Sequence, residues 1–118
     1  VNSYQEVAPS AARTADWAAR VVNTLGKACH LIVDITAFSA GSVTVTIQGR
    51  DPVSGKLYTI LASAALAAVA TTILRVGPAL TAVANLAAND VLPHDLVVDF
   101  NHADATSITY SAGLHIVD

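Results

Sequence analysis

From residue 29 onward, apolar and polar residues alternate with a period of two, the spacing of a strand with one buried face. In residues 29–38, Leu31, Val33 and Ile35 share one side, and His30, Asp34 and Thr36 share the other. After a turn at residues 39–42 that contains Gly41, Val43, Val45 and Ile47 alternate with Thr44, Thr46 and Gln48. This β-branched run fits a half-buried pleat. Residues 50–55 (RDPVSG) bring Asp, Pro, Ser and Gly together and predict a hairpin loop. The chain returns through residues 56–62, where Leu57, Thr59 and Leu61 oppose Tyr58 and Ile60. Both sides there are largely apolar, which predicts an interior strand or one laid against a partner. Residues 71–76 (TTILRV) predict another strand, ended by Gly77 and Pro78. Leu96, Val98 and Phe100 then alternate with Asp95, Val97 and Asp99. After a loop at residues 101–106, the last strand places Ile108, Tyr110, Ala112, Leu114 and Ile116 on one side.

Four stretches lack this rhythm. Residues 1–16 carry Pro9 among Ala and Ser and read as an extended N-terminal arm. Residues 16–23 (DWAARVVN) suit a short helix or an entering strand and are predicted as mixed or irregular, with turn chemistry following at residues 23–26 (NTLG). Residues 62–70 favour helix by their Ala and Leu content but lie between two strand signals. Residues 79–90, Ala-rich with two Asn, predict a long loop with at most one helical turn. Six or seven short strands and no secure helix define an all-β chain. The expected fold is an antiparallel β-sandwich of jelly-roll or Greek-key type, with an arm at residues 1–16 and one domain at residues 17–118. Its core is expected to include Leu31, Val45, Leu57, Leu74, Val98 and Ile108.

A length of 118 residues suits one domain. Only 13% of residues are charged, against about 25% in an ordinary domain. So little charge leaves much neutral surface, which suits a subunit kept packed against others. The net charge is −3, and the six cations (Arg13, Arg20, Lys27, Arg50, Lys56 and Arg75) are scattered, which argues against a nucleic-acid partner. No polybasic run occurs, and no apolar stretch reaches the ~18 residues of a spanning helix, so no membrane partner is expected. The N-terminal VNSYQEVAPSAART lacks the charged start and apolar middle of a secretion signal. The single Cys29 sits in the apolar ACHLIV and is expected to be a buried small hydrophobe made in a reducing cytoplasm.

Chemistry-bearing residues do not converge. Cys29 and His30 are neighbours on a strand, so their side chains point to opposite faces and form no thiolate–imidazole dyad. His102 and Asp104, with Asp99 nearby and His94 and Asp95 upstream, lack the spacing of a zinc site and predict a polar loop. Ser54, Gly55 and Lys56 lack the earlier glycine and the strand–loop–helix setting of a phosphate loop. Trp17, Tyr4, Tyr58 and Tyr110 are spread along the chain as core and interface anchors rather than as a sugar-stacking platform. No catalytic, cofactor-binding or metal-binding residue is assigned, and no enzyme is expected.

VTVTIQGRDPVSGKLYTILASAAL, TTILRVGPALTAVANLAANDVLP and HADATSITYSAGLHIV together resemble a widespread group of small structural proteins of tailed bacteriophages. The shared features are a strand ending in IQG-x-D, a loop containing SGK, the aromatic Tyr58 before a Leu, an RV-x-P segment, an N-D-x-LP turn and a closing SITYS-x-G strand. The resemblance spans residues 28–117 and departs after LP, where HDLVVD replaces a basic, aromatic-bearing stretch. It implies a virion component on the capsid exterior, a head decoration or cement protein. Such a protein binds the major capsid protein and copies of itself, a trimer being one compatible assembly. Residues 1–16 and 79–90 are expected to make those contacts. The alternative is a tail or fibre module that binds host carbohydrate, since sandwich folds serve both tasks. A sugar site of that kind needs an exposed aromatic platform with polar and acidic groups beside it.

Overall fold

A computed structural model describes residues 3–23 and 26–117 of the chain. Nine strands form among the described residues: β1 (Ser3–Arg13), β2 (Trp17–Val22), β3 (Ala28–Ala37), β4 (Val43–Arg50), β5 (Leu57–Ala62), β6 (Ala70–Gly77), β7 (Ala87–Asn89), β8 (Asp95–His102) and β9 (Ile108–Val117). No helix occurs among the described residues. The strands make two sheets, in the orders β1-β9-β3-β6-β7 and β2-β8-β4-β5. Among the described residues, only β6 and β7 pair in parallel. Apart from the β4–β5 hairpin and the β6–β7 link, every connection crosses from one sheet to the other. With the three-residue β7 set aside, the orders 1-9-3-6 and 2-8-4-5 are those of a jelly roll. The expected antiparallel sandwich is therefore the fold, in its jelly-roll form.

Alternation explains the layers. β4 and β9 switch strictly between buried and partly exposed residues, so Val43, Val45 and Ile47 share one core with Ile108, Leu114 and Ile116. Leu31, Val33, Leu74, Val98 and Ile108 complete this single core. Each such side chain stabilises the fold by about 1.5–3 kcal/mol on leaving water.

Four expectations are corrected. Ser3–Arg13 is no extended arm but an edge strand hydrogen-bonded to β9, so the sandwich itself begins at this segment. Its pairing slips twice, between Glu6 and Ala8 and between Ala8 and Ala11, and the adjacent Val7 and Ala8 are its two buried residues. Those bulges erase the two-residue rhythm, and Pro9 is tolerated because the strand lies at an edge. Residues 17–22 are not irregular but form β2, in register with β8 from Trp17 opposite Phe100 to Val22 opposite Asp95. β5 is an edge strand, not an interior one, and Leu57 is 49% exposed rather than in the core. The segment 79–90 contains the short β7 and no helical turn. Of the predicted turn at residues 23–26, Thr24 and Leu25 lie outside the described residues.

The links gather at two ends. At one end, Asp16 Oδ1 accepts from the His102 N–H at 2.6 Å, the Ala103 N–H reaches the Ser42 carbonyl at 3.0 Å, and Leu66 bridges to Val43. At the other, the buried Asn23 donates from Nδ2 to the carbonyls of Gly26 and Pro93, at 2.8 and 3.2 Å, while its own N–H reaches the His94 carbonyl at 2.7 Å.

Candidate interaction surface

Most of the chemistry-bearing residues are absorbed by the fold. Cys29 faces the core, and burial pushes its thiol up to about 12, offset in part by the Val76 backbone. His30 lies on the opposite face as anticipated, where partial burial and then Arg75 and His115 lower its pKa. A thiol that stays protonated and covered does not react. Folded protein is expected to resist disulfide-exchange reagents at about pH 8 and to react once unfolded. Rapid labelling before unfolding would contradict this placement.

His102 turns inward rather than joining Asp104. Trp17 Nε1–H donates to the Tyr110 hydroxyl at 2.7 Å, and that hydroxyl lies 3.0 Å from His102 Nε2. The Tyr110 hydroxyl thus lies between the Trp17 N–H, which donates to it, and the His102 imidazole, with which it donates or accepts according to the tautomer. Asp104 instead accepts the Thr106 N–H at 2.9 Å, and His94 and Asp95 sit at the far end of the sandwich. Among the described residues, no three His, Cys, Asp or Glu side chains are grouped to hold a metal.

Four aspartates titrate away from the ordinary 3.8, in opposing directions. Asp95 is lowered by its hydrogen bond from Arg20, at 2.9 Å, and by the surrounding charge; Asp51 by the Val53 N–H and the Ser54 hydroxyl; and Asp104 by the Thr106 N–H. Asp99 is raised by burial and then by the charge of Asp16. Carboxyls lowered by folding add stability above their unfolded value, and that stability is lost as pH falls through their folded values. Asp99 has the reverse sign: its ionisation opposes folding, and acid relieves the penalty. The melting temperature should therefore decline as pH falls below 3.8. Asp99→Asn should raise it at neutral pH, with the gain vanishing in acid. Thermal melts across pH check both signs, and a melting temperature that climbs below 3.8 would refute the balance.

What remains is surface, and its two flanks differ. On one flank lie β1 and β2, guarded by Glu6, Pro9, Arg13, Arg20 and the two bulges of β1. Charges, proline and bulges are what keep an exposed strand edge from pairing with another chain. On the other flank lie β5 and β7, where Arg75 is the one charged residue between Leu57 and Asn89. β5 reads LYTILA, with neither charge nor proline on its open edge. Leu57, Val69, Val83 and Leu86 are all exposed there.

The 79–90 segment is shaped rather than loose. Asn85 adopts a left-handed backbone, φ 65°, and its Nδ2 donates to the Ala62 carbonyl at the end of β5, at 3.0 Å. Leu86 accepts from the Arg75 N–H at 2.9 Å, and Ala87 donates to Val83 at 2.9 Å. These bonds present Val83 and Leu86 beside β5 as one neutral wall. Compared with protein-family models, with curated proteins and with solved structures, the chain matches none. The wall therefore has to be read on its own chemistry. It offers an unpaired strand edge for backbone hydrogen bonding and apolar side chains that lose no ionic hydration on contact. Of the two segments expected to make contacts, 79–90 lies in this wall, whereas 1–16 supplies the guarded edge. For β5 the sequence leaves open a strand laid against a partner, whereas residues 63–69 were missed as a contact segment, although their lack of charge is visible in the sequence.

Proposed function

We propose that the protein is a non-enzymatic structural component of a tailed-phage virion. In this reading it is a head decoration or cement protein that binds the major capsid protein on the capsid exterior, through the β5–β7 flank. The observation that carries the reading is the asymmetry of the flanks: one edge is defended against association and the other is left open and uncharged. A stiff jelly roll bears load without changing shape. Contacts that are individually weak still stabilise a shell when many copies favour the assembled state by mass action and act together.

The test is reconstitution. Purified chain is added to heads that lack it, and co-sedimentation and the temperature of genome release are followed. Binding to heads, gold label on the head surface and a higher release temperature are expected. Label on the tail with no head binding would replace this reading with the tail or fibre module, and binding to neither would overturn the virion assignment.

A further inference from the structure

At the end of the sandwich where the β4–β5 hairpin meets the residues before β8, the surface folds into a groove of about 400 Å³. We infer that this groove binds a saccharide ring, seated against Tyr58 and held by the charged rim around it. Its volume falls within the roughly 300–1,000 Å³ of small-molecule sites. Tyr58 pairs across the strands with Gly49, and its phenol takes the space that a Cβ at Gly49 would fill. The ring thus lies against bare backbone in a fixed place, while half of the residue stays open to solvent (50%). An aromatic ring with one open side accepts the C–H face of a sugar. Pro52 and Pro93 add rigid apolar walls.

The rim decides the ligand class. Arg50 lies 3.6 Å from Asp95, which Arg20 also holds at 2.9 Å. Asp51 is fixed by the Val53 N–H and the Ser54 hydroxyl, at 3.1 and 2.7 Å, and His94 is exposed beside Asp95. The lining therefore offers both donors, on Arg50, and acceptors, on Asp51 and Asp95. A simple anion would meet the two carboxylates Asp51 and Asp95, and a simple cation would meet Arg50. A purely apolar ligand would use none of these polar groups and would strip water from them at a cost in free energy. Sugar hydroxyls, which both donate and accept, match either kind of group. This inference does not rest on the virion reading: reconstitution on heads probes the β5–β7 flank, and the groove can be tested on the isolated chain.

The experiment is a titration of the ¹⁵N-labelled full chain with galactose, mannose and N-acetylglucosamine, with sodium acetate and inorganic phosphate as ionic controls. Because a shallow groove with one aromatic wall binds weakly, each probe is taken to about 50 mM. Saturable shifts confined to residues 50–58 and 93–95 are expected for at least one sugar. Intermolecular NOEs should run from its ring protons to the Tyr58 ring. Tyr58→Ala should weaken binding about tenfold or more, and Tyr58→Phe should largely preserve it. The NOEs keep the proposal testable even if Tyr58→Ala disturbs the hairpin. No response to any of the three sugars, equal shifts with acetate or phosphate, or missing NOEs to Tyr58 would each overturn it.

Discussion

Phe100→Ala should lower the melting temperature by roughly 10–20 °C, the largest loss expected from any single truncation in the chain. Phe100 is fully buried on β8, which runs between β2 and β4. Its ring stacks on Trp17 at 4.5 Å with planes 5° apart, and on Tyr110 at 5.3 Å with planes 18° apart. The stack joins the two sheets, because Trp17 and Phe100 belong to one and Tyr110 to the other. Removing a buried phenylalanine ring costs about 3–5 kcal/mol through lost transfer energy and the cavity left behind. Here the stacking partners lose a further ~0.5–1.5 kcal/mol per contact. The Trp17–Tyr110 hydrogen bond and the Arg13 guanidinium, 4.3 Å over the Trp17 ring, brace the cavity walls and limit collapse into the gap. Val53→Ala, at a site 93% exposed on the β4–β5 hairpin, should leave the melting temperature unchanged and serves as the control. Calorimetry on both variants checks the difference. A drop for Phe100→Ala no larger than for Val53→Ala would mean that the stack does not hold the sheets together.

The elements visible in the sequence were those whose two faces differ chemically. β3, β4 and β9 set Val, Ile or Leu against Thr, Ser, His or Asp, and their buried faces fell where the alternation put them, whereas on β8 Val97 of the expected outer face is buried as well. β2 alternates too, with Trp17, Ala19 and Val21 on the more buried side. Alanine on both of its faces imitates a helix, and Val22 on the outer face blurs the contrast. β1 was illegible for a different reason, since bulges shift the register before a pattern can repeat. Leu57 was misplaced because an apolar residue looks the same at an open edge as in a core. Strand order is set by contacts between residues far apart in the chain, such as Trp17 and Tyr110, 93 positions apart. The uncharged run that makes the neutral wall could be read directly, but only the topology shows that β5 and residues 79–90 share one flank. The Tyr58 groove was out of reach for the same reason, because Pro93 and Asp95 reach the hairpin only through the long-range pairing of β8 with β4.

Placing lysine at both Leu57 and Val83 should reduce binding to heads by about a hundredfold or more while leaving the melting temperature of the free chain nearly unchanged. Both side chains are exposed, 49% and 46%, so in the free protein each new ammonium remains hydrated. Surface changes of this kind usually stay within about ±0.5 kcal/mol of the parent stability. Within a closed neutral contact the same groups would lose water without finding a partner, and one unpaired polar group left there costs about 1–3 kcal/mol, more when it is charged. Two such penalties exceed the ~2.7 kcal/mol that corresponds to a hundredfold change. The pair also moves the net charge from −3 to about −1 by adding two positive charges, so a matched control is required. Ser10→Lys with Ala12→Lys makes the same change of charge on β1, at the guarded flank. If the β5–β7 flank is the contact face, the β1 pair binds heads like the parent protein and the wall pair does not. Equal weakening by both pairs would assign the effect to overall charge. Full binding by the wall pair would show that this flank faces solvent in the particle, and the open β5 edge would then lose its role in assembly.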